Sequence, residues 1–155
     1  MRNRFRSFCY FLIIFVLGIT LGGYLFHDSR PRSYITVTQC SDGSCLRANE
    51  IMGLVGSLAM NRTPSLIPFV VQETDKTLVM EYPNPGTTPH WVLIPKKDIK
   101  DAGDVSTGDE PYIADVYAII SQLIRDNHLV KYRVITNGPG FQSVGYIHFH
   151  LIAYN

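Results

Sequence analysis

The residues best suited to chemistry lie close together near the end of the chain, between Thr136 and Ile152. From Val144 to Tyr154 the residue types alternate, and this alternation predicts a β-strand with two different faces. One face carries small or apolar residues. His148 and His150 share the other face, so two imidazoles are expected to project side by side from a rigid support. A neutral imidazole can act as a nucleophile, a general base or a metal ligand.

A loop rich in small polar residues directly precedes this strand. It contains Asn137, Gln142 and Ser143, together with glycines and a proline. Backbone N–H groups in such a loop, and amide or hydroxyl side chains, can donate hydrogen bonds to an oxyanion. The pattern therefore predicts a phosphate-binding loop beside the two histidines.

The same segment resembles the signature of the histidine-triad (HIT) family, Q-x-V-x-H-x-H-x-H. Gln142 and Val144 stand at its first two fixed positions, and His148 and His150 at its last two histidines. Tyr146 stands where the family has its first histidine. The triad is therefore a variant.

Two upstream segments also resemble the family, in the family's order. Residues 89–97, Pro-His-Trp-Val-Leu-Ile-Pro-Lys-Lys, resemble its P-x-H-x-L-V-I-P-K segment and include His90. Residues 131–137 resemble the strand and asparagine that precede its phosphate loop. The resemblance covers roughly residues 65 to 155.

The resemblance implies a role for each of these residues. His148 is the nucleophile that attacks phosphorus, with its other ring nitrogen held by the backbone carbonyl of residue 146. Because a carbonyl does not depend on its side chain, Tyr146 need not abolish nucleophilicity, although its bulk is expected to change how His90 is held. His150 binds a phosphate oxygen or assists the leaving group, and His90 supports the triad. The loop residues Asn137, Gln142 and Ser143 bind phosphate.

Two other interpretations of the histidines stay open. An H-x-H pair on a strand can ligate zinc, with His90 as a third ligand, whereas the family-like surroundings imply neither metal nor cofactor. The variant residue Tyr146 also fits a nucleotide- or phosphate-binding module that has lost catalysis. In addition, the acidic residue that grips ribose in nucleotide-binding members falls at Tyr82, with Glu81 adjacent on the opposite strand face. The histidine often found after P-K-x is Asp98 here.

The N-terminal region predicts a membrane anchor. Phe8 to Phe26 is a run of 19 residues without a charge, and the basic segment 1–7 precedes it. As a helix it would be about 28 Å long, close to the ~30 Å hydrocarbon core of a bilayer. A cleaved signal peptide and a buried helix are the alternatives, although no A-x-A-like site follows. The arginines in 1–7 favour an N-terminus inside, and the G-x-x-x-G spacing of Gly18 and Gly22 is one basis for a homodimer.

Residues 27–47 are predicted to form a polar stalk, with a short strand near residues 34–38, and residues 48–155 the HIT-like domain. Cys40 and Cys45 bracket the turn-forming tetrapeptide Ser-Asp-Gly-Ser. If the domain lies outside the cytoplasm, on the periplasmic face of a bacterial membrane, a disulfide between them is expected. Two free thiols are the alternative.

Hydrophobic periodicity predicts an α+β domain, with an antiparallel sheet of about five strands and helix packing on it. The predicted helices are 49–60 and 113–126, and the predicted strands are 68–73, 77–82, 90–94, 129–136 and 144–154.

The composition limits which classes of binding partner are expected. The net charge of +1 gives no basis for a nucleic-acid surface. The residues and the resemblance together predict a membrane-anchored hydrolase or transferase that cleaves a phosphoanhydride or phosphoramidate of a nucleotide. A lipid-linked nucleotide is the second substrate option, because CDP-diacylglycerol pyrophosphatase is a single-anchor, outward-facing relative of this type.

Overall fold

The computed structural model describes residues 2–35, 45–82 and 89–154. Its helices and strands are α1 (Arg2–Phe26), α2 (Ala48–Arg62), β1 (Val70–Glu73), β2 (Thr77–Glu81), β3 (His90–Pro95), α3 (Glu110–Asp126), β4 (Tyr132–Thr136) and β5 (Phe149–Ala153). Within these residues the five strands form one sheet in the order β1-β2-β3-β5-β4, and all four pairings are antiparallel. The α+β prediction is therefore confirmed.

The main core lies between α3 and one face of the sheet. Val116, Ile119 and Ile120 recur at helical spacing on α3 and are almost completely buried. They meet the inward residues of the central strands, which recur at every second position. These strand and loop residues are Val79, Leu93, Ile99, Ile147, Phe149 and Leu151.

The second face of the sheet is covered in part by α2. Met60, in the last turn of α2, packs with Leu78 and Tyr146 in a smaller cluster. Val92 and His150 are register partners on β3 and β5, and their side chains share this face with Ile94. The histidine side of the sheet is thus the side of α2, opposite the main core.

Helix α1 stands apart from the core. Residues Arg6–Phe26 are long and apolar enough to cross a membrane, judged by length and composition, and none of this stretch is buried. A signal sequence near an N-terminus passes the same test. The anchor and signal interpretations therefore both remain predictions.

The predicted polar stalk begins with residues that bind the domain directly. The backbone N–H of Arg30 donates to Asp98 at 2.8 Å. The Arg30 guanidinium pairs with Asp104 at 2.9 Å and with Asp109 at 2.7 Å. Burial disfavours the charged form of Asp109, but hydrogen bonds from Lys97, Ser106 and Arg30 hold the pKa of that carboxyl well below its usual range.

Arg32 is inserted still deeper. Its side chain is 0% exposed and forms an ion pair with Asp98, whose side chain is also fully buried. The guanidinium also donates to the Gly145 carbonyl and lies 3.2 Å from Glu50. A Cβ at Gly53 would collide with both the Gly145 oxygen and the Arg32 guanidinium, so only glycine fits at this point of α2. The segment after α1 is therefore packed into the domain.

The last predicted strand begins later than its alternation suggests. β5 starts at Phe149, and the residues before it use their backbone groups elsewhere. The N–H of Gly145 donates to Asn49 at 2.8 Å, and the N–H of Ile147 donates to Ile99 at 2.7 Å. The predicted alternation of faces still holds for the side chains, because Ile147 and Phe149 pack into the main core whereas Val144 and Tyr146 pack into the cluster on the opposite face. The prediction of paired strand from residue 144 to 148 is wrong.

Near the predicted short strand at residues 34–38, Ile35 and Leu46 form one isolated bridge. Residues 36–38 and Cys40 lie outside the described residues. The disulfide between Cys40 and Cys45 therefore stays a prediction.

Replacing Arg32 by alanine is expected to destabilise the full-length protein by about 3–5 kcal/mol, because Asp98 would be left as an uncompensated buried charge. The free energy of unfolding in urea measures this effect. Arg47→Ala, at an exposed position close by in sequence, is the control and should change it by less than about 0.5 kcal/mol.

The double variant Arg32→Met/Asp98→Leu removes both charges and should recover most of the loss. Equal losses in Arg32→Ala and Arg47→Ala would contradict a buried ion pair.

Candidate functional site

His148 is held in one orientation by the backbone of its own segment. Its Nδ1 lies 2.8 Å from the carbonyl oxygen of Tyr146. Because a carbonyl only accepts hydrogen bonds, Nδ1 must carry the proton in this contact. In the neutral ring the lone pair is then on Nε2, the nitrogen that points away from the backbone.

His150 and His90 meet across two neighbouring strands. β3 and β5 pair with Val92 opposite His150, so His90 is a diagonal neighbour of His150 on the same face. His90 Nε2 lies 2.9 Å from His150 Nδ1, so one ring donates to the other. The His148 and His150 rings contact edge-on, with centroids 4.9 Å apart. Three imidazoles therefore form one continuous group.

Burial and the neighbouring rings keep the imidazoles of His150 and His90 neutral. Burial, followed by the neighbouring His148 and His90, lowers the pKa of His150 to about 4. Burial also lowers the pKa of His90. Both rings are therefore uncharged near pH 7, and each can donate one hydrogen bond and accept another.

Tyr146 contributes to the site through its backbone. Its ring is buried, and its hydroxyl donates to the Pro95 carbonyl at 2.8 Å. Burial, with Asp98 nearby, raises the pKa of the phenol above its usual range, so the hydroxyl stays protonated. In the described residues His90 instead contacts His150 and stacks on Tyr82, with ring centroids 4.6 Å apart. The phenol thus packs beneath the site while its carbonyl orients His148.

The predicted phosphate-binding residues lie in the turn between β4 and the histidine segment. Asn137 directly follows β4, and Phe141 N–H closes a turn onto the Gly138 carbonyl at 2.9 Å. Gln142 is buried, and its side-chain amide nitrogen has no partner within the described parts of the chain. Ser143 is exposed. Within the described residues no hydrogen bond joins these side chains to the histidines, so their role in binding phosphate stays a prediction.

A cavity of about 470 Å³ opens beside the histidines on the α2 side of the sheet. His148 and His150 form part of its wall, next to Val144 and Tyr146. The remaining wall comes from α2, from the turn before β1, and from β2 and β3. Its lining is mostly apolar, through Met60, Phe69, Met80, Val92 and Ile94.

Over residues 2–35, 45–82 and 89–154, no group of three or more His, Cys, Asp or Glu side chains is arranged to hold a metal ion. His90 Nε2 and His150 Nδ1 face each other at 2.9 Å, so these two ring nitrogens contact one another in this arrangement.

For several residues of the site, the sequence alone does not indicate which contacts they make. Tyr82 supports His90 by stacking, although its place in the chain suggests only a missing acidic residue. Arg32 reaches the Gly145 carbonyl from 113 residues away. Asp98 is the ion-pair partner of Arg32. A buried carboxylate and a distant arginine can be matched only when the fold is known.

Comparison with known proteins agrees with this geometry. Residues 56–155 match the family model described as "Scavenger mRNA decapping enzyme C-term binding". An uncharacterised HIT-like protein of Chlamydia muridarum is 32% identical over 85 residues, which is 53% of this chain and 68% of that protein.

The solved structures give the same result. A HIT family hydrolase from Legionella pneumophila superposes with a TM-score of 0.55 at 29% identity, covering 62% of this chain and 90% of the other. A histidine triad protein from Clostridium difficile shares the fold, with a TM-score of 0.54 at 23% identity over 70% of this chain and 93% of the other.

The antiparallel sheet with its helices and adjoining histidines has the fold of the HIT hydrolases. Together with the matched family model, these relatives show that the chain belongs to the histidine-triad family.

Acidification is expected to destabilise the protein through His150. Its pKa is about 4 in the folded chain, against ~6.5 when unfolded. Between these values the unfolded state binds more protons, so the free energy of unfolding falls as the pH drops from 6.5 to 4. Because the ring is only about half buried, we expect the free energy of unfolding to fall by about 1–2 kcal/mol, which is less than the full pKa shift would imply.

Urea unfolding at pH 7 and pH 4.5 measures this loss. His150→Asn should show a smaller loss than the unmodified protein, whereas His128→Asn, at an exposed position, should show the same loss. Identical pH dependence in all three proteins would contradict the assignment to His150.

Proposed function

We propose that this protein is a membrane-anchored HIT-type hydrolase or transferase that cleaves a phosphoanhydride or phosphoramidate through a covalent intermediate on His148. The observation that carries the proposal is the hydrogen bond from His148 Nδ1 to the Tyr146 carbonyl at 2.8 Å. It leaves the Nε2 lone pair available for attack on phosphorus.

The reaction has two balanced steps. In the first, the Nε2 lone pair forms a bond to phosphorus, the bond from phosphorus to the bridging atom breaks, and the leaving group takes the electron pair and a proton. In the second, a water oxygen bonds to phosphorus while the P–N bond breaks. The electron pair returns to Nε2, and the water releases a proton. An alcohol or amine in place of water would make the reaction a transfer.

His150 is positioned to assist the departing group or to bind a nonbridging oxygen. With its Nδ1 accepting from His90, its Nε2 carries a proton and can donate it. The hydrogen bond between His90 and His150 supports the proposal that His90 selects this tautomer of His150. Removing the His90 imidazole would leave His150 in place, but its Nε2 would no longer be fixed as the protonated nitrogen.

The substrate of this mechanism is a nucleotide or a lipid-linked nucleotide. Resemblance to the HIT family supports a nucleotide, whereas Tyr82 stands at the usual ribose-binding position and supports a departure from the common nucleoside preference. The alternative function is a nucleotide- or phosphate-binding module without turnover. Tyr146, which replaces the first histidine of the triad, is the observation that favours this alternative.

The proposed location is the outer face of a bacterial membrane, with α1 as the anchor and the N-terminus inside. A C-terminal alkaline phosphatase fusion should then be active, and a green fluorescent protein fusion exported by the Sec route should be dark. Cys40 and Cys45 should resist alkylation until reduced. The opposite fusion pattern would place the domain inside. A homodimer through Gly18 and Gly22 is part of the same proposal.

The mechanism predicts a trappable enzyme intermediate. When the full-length protein is quenched during turnover of a panel of ³²P-labelled nucleotides, the label should be found on His148. His148→Ala should lose the label and reduce turnover by several orders of magnitude, because no other atom can form the intermediate. His150→Ala should cost on the order of 10²-fold. The exposed His128→Ala is the matched control and should retain full activity.

Tyr146→His restores the family motif without moving the carbonyl that orients His148. Activity should stay within about tenfold or rise. A folded protein that turns over nothing, yet gains activity on Tyr146→His, would support the binding module. Equal activity in the unmodified protein and His148→Ala would refute the nucleophile.

A further inference from the structure

We infer that Arg32 is a positioning residue for the reaction, because it holds the backbone that keeps His148 in its nucleophilic tautomer. This role rests on the proposed function, in which His148 is the nucleophile. Arg32 lies before residue 56, where the match to the family model begins. It acts at a distance from the imidazole, through the two peptide groups that flank the Cα atom of Tyr146.

The first of these peptide groups joins Gly145 to Tyr146. Its carbonyl accepts a hydrogen bond from the Arg32 guanidinium, and its N–H donates to the Val144 carbonyl at 2.8 Å. Because a peptide group is planar, these two bonds together fix its orientation. The N–H of Gly145 itself donates to the carbonyl of Asn49, in the first turn of α2, at 2.8 Å. The backbone at Gly145 is therefore held on both sides.

The second peptide group carries the Tyr146 carbonyl that lies 2.8 Å from His148 Nδ1. Its N–H donates to the Ile99 carbonyl at 2.7 Å. The residue before Ile99 is Asp98, whose fully buried carboxylate is the ion-pair partner of Arg32. The same guanidinium thus supports the second peptide group as well as the first.

The surroundings of Gly145 leave little room for it to move. A Cβ there would lie 3.1 Å from the Asn49 carbonyl oxygen and 3.2 Å from the Arg32 guanidinium, both closer than an ordinary van der Waals contact. Gly145 is buried, and the Arg32 side chain is 0% exposed. A buried carbonyl that loses its donor is costly to leave unsatisfied, so without the guanidinium we expect this peptide group to rotate toward another partner.

Such a rotation changes the tautomer of His148. Its Nδ1 is held as the protonated nitrogen only while the Tyr146 carbonyl stays within hydrogen-bond reach. With that carbonyl displaced, the proton can occupy Nε2 instead, and the lone pair needed for attack on phosphorus is lost. Arg32 therefore sets the fraction of His148 that is ready to react, without contributing to the binding of substrate.

The double variant Arg32→Met/Asp98→Leu separates positioning from stability. It removes both buried charges, so most of the stability is expected to remain, but the Gly145 carbonyl loses its donor. The full-length protein, labelled with ¹⁵N-histidine in detergent micelles, is studied at pH 8.5, well above the ordinary imidazole pKa of ~6.5. Long-range ¹H–¹⁵N spectra report which ring nitrogen carries the proton, and His148→Ala identifies the signals of His148. The unmodified protein should show Nδ1 protonated, and the double variant a mixture of both tautomers.

Turnover of the ³²P-labelled nucleotides gives the kinetic counterpart. In the double variant kcat should fall on the order of 10²-fold, as expected when a reacting group is slightly misplaced. KM should be nearly unchanged, because the contacts with substrate are kept. Arg30→Met is the matched control, since Arg30 belongs to the same segment but pairs with Asp104 and Asp109. It should lower the free energy of unfolding and leave both the tautomer and kcat unchanged.

Gly53→Ala provides a second route to the same contact with both charges intact. Its Cβ would collide with the Gly145 oxygen and the Arg32 guanidinium, so the tautomer of His148 should again become mixed. Gly56→Ala, three residues further along α2, is the control, because the nearest atoms to its Cβ are 4.0 Å away. Both substitutions gain the same helix propensity, so only the collision differs between them. This pair also decides the question if the double variant does not fold.

A His148 that keeps its proton on Nδ1 in both Arg32→Met/Asp98→Leu and Gly53→Ala would overturn the inference. An equal change of tautomer in Arg30→Met would overturn it too, because general loosening of the segment would then be the cause. Absence of turnover and of a labelled His148 in the unmodified protein would remove the proposed function. The comparison of tautomers would still decide whether Arg32 positions His148, so the two failures are distinguishable.

Discussion

The buried guanidinium of Arg32 is the interaction on which the arrangement of the site depends. A charge taken out of water is tolerated only when it is paired and hydrogen-bonded, so its burial requires Asp98, Glu50 and the Gly145 carbonyl to converge. Gly53 makes the convergence possible, because any side chain there would occupy the same space. The consequence is a fixed position for Gly145, one residue before the carbonyl that orients His148. Arg32, six residues after the end of α1, thus belongs to the structural support of His148.

The fold was predictable from the sequence where burial leaves a regular trace. The α3 stripe of Val116, Ile119 and Ile120 repeats at the helical period because one face of α3 is buried and the other is wet. The end of the chain shows the limit of such reasoning. Residues 144–148 alternate like a strand, yet the N–H of Ile147 bonds Ile99 rather than a strand neighbour. Alternation reports which of two faces each side chain joins, and it does not report which partner takes the backbone groups.

The site was predictable to the extent that its residues are neighbours in sequence or match a known motif. His148 and His150 are two residues apart, and the motif resemblance added His90. The contacts of Arg32, Asp98 and Tyr82 could not be found in this way. The Arg32–Asp98 pair spans 66 residues, and each partner has another reasonable interpretation on its own. Arg32 suggests a charge flanking a membrane helix, and Asp98 suggests a lost histidine. Only their burial together shows that they compensate each other.

The charges around the site also bear on what it can hold. The two lysines after β3 are already paired, Lys96 with Glu73 and Lys97 with Asp109, the latter at 2.8 Å. The described histidine group is neutral at His150 and His90, and the cavity beside it is apolar. A phosphate bound there would be met mainly by neutral donors, so a second negative charge on it would be poorly compensated in a medium of low dielectric constant. A phosphorus centre with a single negative charge, as in a diester or a substituted anhydride, suits this surrounding better than a terminal phosphate dianion.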